Sequence, residues 1–248
     1  MQSVLNALRV LEEVAARQPI GVAHLARALD IPKSSAQRAL ITLQTAGWIR
    51  QVGGGSTNWV VTTKALHVGR HASGELSLRD VAVPAMEELR RRTDETIHLT
   101  VPENLDHMVL IERLETSKPV RIFMQLGMNL PLHASANGKA VLAASPESAI
   151  EEYIATGLPR FTGTTIDDPD RLRAELDTTR TRGYAANSGE WRSDVSAVAA
   201  AVIGDAGLPV ASISVNMPTS RMTDELAAEY GVLVRATAAQ VSATLIAS

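Results

Sequence analysis

Between Val22 and Trp48, apolar residues recur every three or four positions. They fall at Val22, Leu25, Ala26 and Leu29, and again at Ala36, Ala39, Leu40 and Leu43, with Asp30-Ile31-Pro32 breaking the rhythm. This predicts two short helices around a tight turn. Asp30 tolerates the left-handed conformation that ends a helix, Pro32 cannot continue the first one, and Ser34 or Ser35 is placed to cap the second. Ahead of the pair, Ser3 to Arg17 reads as a helix with Val4, Leu5, Leu8, Leu11 and Ala15 on one stripe. After it, Trp48 to Val52 and Asn58 to Val61 are β-branched segments around a glycine-rich tip, the pattern of a β-hairpin.

Three helices followed by such a ribbon make a winged helix-turn-helix. The polar side of its third helix carries Lys33, Ser34, Ser35, Gln37, Arg38, Thr42 and Gln44. Amide and guanidinium forks match base edges, while hydroxyls and Lys suit phosphates, so this side is suited to reading DNA. The candidate contacts are Gln37 and Arg38 to bases, with Lys33, Ser34, Ser35, Thr42 and the wing residues Gly54 and Ser56 beside them. The Gly53-Gly54-Gly55 run lacks the following Lys-Ser/Thr and helix of a phosphate loop, so no nucleotide site is expected there.

Beyond the hairpin, Thr62 to Ser77 reads as a linker helix with Leu66 and His67 facing a partner helix and a weak point at Ser73-Gly74. Leu78 to Arg92 reads as a helix kinked or restarted at Pro84, closing on Arg90-Arg91-Arg92 as a solvated, dipole-favoured end. The rhythm then turns strand-like over Thr96–Pro102, Met108–Leu114 and Val120–Leu126. Helices follow over Ala134–Ala144, Pro146–Thr156 and Pro169–Arg182. Strands are expected over Tyr184–Ser188, Ser196–Ile203 and Val210–Asn216, and a last helix from Ser220 to about Ile246. The fold class is therefore α+β, with residues 1–61 as the helix-turn-helix domain, 62–77 as the linker and 78–248 as a six-stranded antiparallel sheet with flanking helices.

Charge sharpens this division. The whole chain has a net charge of -3, yet residues 1–72 hold eight Lys/Arg against three acidic residues, a balance of +5 that leaves -8 on the remainder. A basic module joined to an acidic one fits a DNA-binding domain fused to a domain that avoids DNA. Cysteine is absent, which removes disulfides and thiolate chemistry. Apolar runs such as Val195 to Ile203 are too short to span a bilayer and the N-terminus lacks a signal-peptide pattern, so a cytoplasmic protein with no membrane partner is expected.

Enzymatic readings are weaker. Ser135 and Lys139 share a helix face but lack the three-residue spacing of Ser-Lys hydrolases, and no nucleophile elbow, zinc-protease or Walker motif occurs. His67 and His71 are four apart without a third ligand, and His98 and His133 are candidates to meet in the folded domain. Neither a metal nor a cofactor is expected. The competing reading is an enzyme or stand-alone small-molecule binding protein whose N-terminal module serves only dimerisation.

The chain resembles the isocitrate-lyase-regulator (IclR) family of bacterial transcription factors along nearly its whole length. The likeness lies in Ile31-Pro32-Lys33-Ser34-Ser35-Ala36-Gln37-Arg38 with Leu40, Leu43 and Ala46-Gly47-Trp48, and then in Asp94-Glu95-Thr96. It continues through Pro131-Leu132-His133-Ala134-Ser135-Ala136-Asn137-Gly138-Lys139-Ala140 with Leu142-Ala143, and Gly183-Tyr184 with Glu190 and Ala199-Ala200. The resemblance implies a GAF-like effector domain, a homodimer through the DNA-binding domains that can pair into a dimer of dimers, a near-palindromic operator, and a small organic effector. It also implies an effector site. Main-chain amides of Ala136 and Asn137 bind the ligand carboxylate, and Asn187, Ala197, Ser214 and Asn216 stand where members that sense small oxo-acids have Asp, Cys, Ser and Ser. Three of these four side chains differ, so a small polar or anionic ligand other than the same oxo-acid is expected. Met128, Leu130 and Leu132 are expected on the apolar side of the pocket, with plain core packing as the other reading.

Overall fold

A computed structural model describes residues 2–52, 57–69, 73–103 and 106–247, without the side chains of 2, 66, 69 and 73–77. The wing positions Gly54 and Ser56, together with His71, lie outside the described residues. The chain divides into two compact units, Met1–Ser73 and Gly74–Ser248.

The first unit contains α1 (Gln2–Arg17), β1 (Ile20–Gly21), α2 (Val22–Ala28), α3 (Lys33–Thr45), β2 (Ile49–Gln51), β3 (Asn58–Val61) and α4 (Lys64–Gly69). Leu25 and Ala26 of α2 and Ala36, Ala39, Leu40 and Leu43 of α3 are buried as their spacing requires, around Val10, Val14, Ile49 and Trp59. Asp30 is left-handed, at φ 51°. Three details depart from the sequence expectation. The cap of α3 is Pro32, with no side-chain hydrogen bond, so neither Ser34 nor Ser35 caps it: the helix already begins at Lys33. The core contacts of α1 come from Val10 and Val14, while Val4, Leu5 and Leu8 are 63%, 53% and 50% exposed. The hairpin also gains a third strand, because β1 pairs with Trp59 and Asn58 of β3.

Within the expected linker helix over 62–77 lie α4 and the start of α5 (Ser73–Thr93), with residues 70–72 outside the described residues, and α5 runs unbroken through the exposed Pro84. The arginines at its end form local ion pairs, Arg90 with Glu87 at 2.9 Å and Arg91 with Glu88.

The second unit is built on an antiparallel sheet in the order β6-β5-β4-β9-β8-β7. Its strands are β4 (Thr96–Glu103), β5 (His107–Leu114), β6 (Asn129–Pro131), β7 (Ala185–Ser188), β8 (Val195–Ile203) and β9 (Pro209–Pro218). Residues 120–126, expected as the third strand, form none. The short β6 pairs with β5 instead, and the carbonyls of Val120, Ile122 and Met124 accept hydrogen bonds from the side chains of Arg221, Thr96 and Arg113. Helices α6 (Ala136–Ala144), α7 (Glu147–Ala155), α8 (Pro169–Arg182) and α9 (Asp224–Ala247) complete the unit.

The two sheet faces differ in chemistry, because alternate residues of a strand point to opposite sides. One face presents Ile97, Leu99, Val198, Ile213 and Val215 and packs with Met86 and Leu89 of α5 and Tyr230, Val234 and Val241 of α9. Helix α9 is long and apolar enough to cross a bilayer by length and composition, but these buried residues make it a core helix. The other face is lined by small and polar residues. Asn187, Ala197, Asn216 and Thr96 stand side by side across four strands, and the next row is Ala185, Ala199, Ser214 and His98. Helix α6 covers this face through Ala136 and Ala140.

Glu95 opens β4 as an almost wholly buried carboxylate held by Arg221 at 2.8 Å through both oxygens and by Lys118 at 2.8 Å. This pairing ties the chain before β4 to the segments on either side.

Candidate functional site

In the first unit the chemistry lies on α3. With Ala36, Ala39, Leu40 and Leu43 buried, the opposite side exposes Lys33, Ser34, Gln37, Arg38, Ile41 and Thr42, while Ser35 is half-buried. The Arg38 guanidinium makes one long hydrogen bond to Ser35 Oγ at 3.4 Å, and Thr42 Oγ1 donates to the Arg38 carbonyl at 2.9 Å. The rest of the guanidinium fork is open. Ile41, absent from the sequence-based set, stands half-exposed among these polar groups. The same apolar character that makes Ile41 unremarkable in a sequence makes it unusual on this face. The helix is steadied from the C-terminal side, where the Lys64 ammonium donates to the Ala46 carbonyl at 2.7 Å and lies 5.4 Å from the Trp48 ring centre.

In the second unit six of the residues assigned by resemblance border one cavity: Leu130, Ala136, Asn137, Asn187, Ala197 and Asn216. Met128 and Leu132 belong instead to the adjoining apolar cluster, and the buried Ser214 sits beside Asn216, accepting from its Nδ2 at 2.9 Å. Met124, Trp191 and Arg192 also line the cavity, and the resemblance did not mark them. Arg192 is the cationic member, turned partly towards Asp194 at 3.2 Å.

Why the N-terminus of α6 lies here follows from its own residues. Ser135 caps it, accepting from the Gly138 amide at 3.0 Å while donating to the Pro131 carbonyl at 2.6 Å. That leaves the amides of Ala136 and Asn137, two residues that line the cavity, as the first-turn donors that the cap does not satisfy. The cavity is small: its volume is about 20 Å³, enough for little more than a water. Its polar side chains bond to protein, Asn187 Nδ2 donating to the Ala134 carbonyl at 2.5 Å and Asn137 Oδ1 accepting from Ser212 Oγ at 3.2 Å.

Behind the cavity is a buried ion pair. Lys139 of α6 is 1% exposed and its Nζ lies 2.6 Å from Glu190 Oε1 and 3.5 Å from Glu175. Burial pushes the Glu190 carboxyl up, and the Lys139 ammonium pulls it only part of the way back. Lys139 is thus committed to Glu190, and Ser135 to its capping bonds, so the two form no nucleophile–base pair. His98 and His133 do not pair: His133 bonds Tyr153 and the Pro159 carbonyl, whereas His98 is opposite Ser214 and Arg113 in the sheet. Among the described residues no three His, Asp or Glu are placed to hold a metal.

Comparison with known proteins agrees with both halves. Residues 3–53 match the IclR helix-turn-helix domain and residues 70–243 match the C-terminal domain of bacterial transcriptional regulator IclR. The transcriptional repressor IclR of Escherichia coli K12 is 30% identical over 245 residues, 98% of this chain and 89% of that protein. The HTH-type transcriptional repressor AllR of Klebsiella pneumoniae is 35% identical over 221 residues, 88% of this chain and 79% of that one. Among solved structures, an IclR homolog from Microbacterium hydrocarbonoxydans, complexed with 4-hydroxybenzoate, superposes with a TM-score of 0.86 at 25% identity, covering 99% of this chain and 100% of that one. These relatives are regulators and not enzymes, which removes the enzymatic reading. A helix-turn-helix with an open arginine fork, a capped helix over a polar sheet face and these matches along both units lead to one conclusion: the chain belongs to the IclR family of DNA-binding bacterial transcriptional regulators.

Proposed function

We propose that the protein is a cytoplasmic homodimer, able to pair into a dimer of dimers, that sets two copies of α3 into successive major grooves of a near-palindromic operator. The grooves lie roughly 34 Å apart. The observation that carries this reading is the outer face of α3, where the Arg38 and Gln37 forks stand exposed. The apolar stripe of Val4, Leu5 and Leu8 on α1 supports a second copy as the partner, since exposed clusters of large apolar residues mark association surfaces. Gln37 and Arg38 take base edges, Ile41 a thymine methyl, and Lys33, Ser34, Ser35, Thr42 and the wing residues Gly54 and Ser56 take phosphates or their surroundings. Replacing Arg38 with Ala is expected to weaken operator binding by about 1–3 kcal/mol, the worth of a bidentate guanine contact. An anisotropy titration of wild type and Arg38→Ala on DNA from the protein's own upstream region measures this; equal affinities would remove Arg38 from the base contacts.

The second domain, over 78–248 and joined through 62–77, takes a small organic acid at the start of α6. Its carboxylate lies on the Ala136 and Asn137 amides, with Arg192 at the rim, in an environment set by Asn187, Ala197, Ser214 and Asn216 and bounded on the apolar side by Leu130, with Met128 and Leu132 in the cluster behind it. The small size of the cavity, too tight for an organic acid, supports a two-state response. Ligand entry exchanges the Asn187–Ala134 and Asn137–Ser212 bonds for ligand contacts, so the ligand has a higher affinity for an opened state and shifts the population towards it. The acid bound by the Microbacterium relative, 4-hydroxybenzoate, is the first probe. Asn187→Leu is expected to abolish its effect on operator affinity while leaving DNA binding in its absence unchanged. An intact response in that variant, measured by the same titration with and without the acid, would remove Asn187 from the site.

A further inference from the structure

Three unpaired buried nitrogens of the second unit lie one row further along the sheet face from the cavity. His98 is wholly buried and neither ring nitrogen has a hydrogen-bond partner. Directly opposite it on β5 is Arg113, whose Nε is also buried without a partner. A protein rarely leaves three such nitrogens together, and each calls for an explanation.

Their position supplies one, because the pair is anchored to the cavity wall on both sides. On β9, His98 faces Ser214, whose hydroxyl accepts from Asn216, a cavity residue. On β5, the Arg113 guanidinium donates to the carbonyl of Met124, another cavity residue, and its remaining donors are partly used by Glu115 at 2.9 Å, with its plane 4.0 Å from the Phe123 ring centre. The same face adds Thr96 and Thr100, but their hydroxyls are spent on the Ile122 and Ser212 carbonyls. Burial, and secondarily the Arg113 charge, lowers the His98 pKa to about 3, so the ring is neutral and offers one N–H and one lone pair.

We propose that His98 and Arg113 form a second polar subsite, one row along the sheet face from the effector cavity and next to its wall residues Asn216 and Met124, that receives an oxygen acceptor at the far end of the effector. His98 and Arg113 are directly opposed on neighbouring strands, and a carboxylate or hydroxyl oxygen is the acceptor that the His98 N–H and the Arg113 Nε–H both lack. The effector is then an organic acid with two oxygen functions: one carboxylate at the start of α6, and a second carboxylate or a hydroxyl at this pair. This rests on the effector reading given above and adds the class of acid that it selects.

Calorimetry on the full chain with glutarate, 4-hydroxybutyrate and butyrate tests it, because the three differ only in the far group. Glutarate or 4-hydroxybutyrate is expected to bind about tenfold or more tighter than butyrate, since a site built to hydrogen-bond an oxygen rejects the analogue lacking it. Which of the two prevails identifies the far group as carboxylate or hydroxyl. In His98→Leu that preference should vanish. In the wild type, the His98 ring nitrogen resonances should shift with the favoured acid and not with butyrate, a readout that stands even if His98→Leu fails to fold. Equal binding of all three acids, or silent His98 resonances, overturns the subsite. If Asn187→Leu still abolishes that equal binding, the effector reading survives the loss; if none of the three acids binds, both fall together.

Discussion

Lys139→Met should lower the folding stability of the second unit by about 3–5 kcal/mol, the range for removing one partner of a buried pair. The methionine fills the volume but leaves the Glu190 carboxylate without its 2.6 Å partner, and Glu190 Oε2 already has none. Urea unfolding would read this as a lower midpoint with an unchanged slope. The pH dependence has a definite sign. Burial already raises the Glu190 pKa in the folded state, and losing Lys139 removes the main influence holding it down. A carboxyl with a folded pKa above its unfolded value stabilises the fold below the unfolded pKa and loses that contribution as pH rises through the folded one. The defect should therefore shrink in acid and grow towards neutral pH. The double variant Lys139→Met/Glu190→Leu should recover most of the loss; a single-variant cost below about 1 kcal/mol would mean that the pair is solvated and not part of the core.

The second large effect is at Gly138. A Cβ there would lie 2.2 Å from the Leu132 carbonyl oxygen and 2.3 Å from the Leu132 Cα, backbone atoms with no rotamer into which to retreat. Gly138→Ala should therefore cost about 3 kcal/mol, at the upper end of core overpacking. Where the protein still folds, α6 must move off residues 132–135, displacing the Ala136 and Asn137 amides. On the effector reading proposed above, a weakened effector response should then accompany the fall in unfolding midpoint. A variant as stable as the wild type would show that the approach of α6 to Leu132 is loose.

The helix-turn-helix was legible because its information is local. Two runs at helical spacing, a residue tolerant of positive φ at Asp30 and a proline at 32 leave few alternatives, and the buried set of α2 and α3 matches them. What failed depended on distant partners. The strand β1 is only two residues long and exists because β3, nearly forty residues later, lies beside it. Residues 120–126 have strand composition, but Arg221, Thr96 and Arg113 occupy the carbonyls that a ladder would use. In α1 the regular stripe of Val4, Leu5 and Leu8 looks like a core face, and an isolated sequence cannot distinguish a stripe covered by its own chain from one left for a second copy. Resemblance marked residues that border one cavity at the start of α6, but not the bonds those residues make. The Asn187–Ala134 bond joins residues 53 apart in sequence. Met124 and Arg192 come from irregular segments, where no periodicity marks a residue that faces inward.

The unlike faces of the sheet bear on how a sensor of this kind changes its chemical preference over generations. In β9, Ser212, Ser214 and Asn216 alternate with Ala211, Ile213, Val215 and Met217, and in β8, Ala197 and Ala199 alternate with Val198 and Ala200. On the effector reading proposed above, the odd and even members of each strand answer to separate selective demands, one to what is recognised and the other to whether the domain stands at all. Substitutions could then accumulate on one side one codon at a time without disturbing the layer packed on the other, so that a lineage changes its ligand across intermediates that all remain folded.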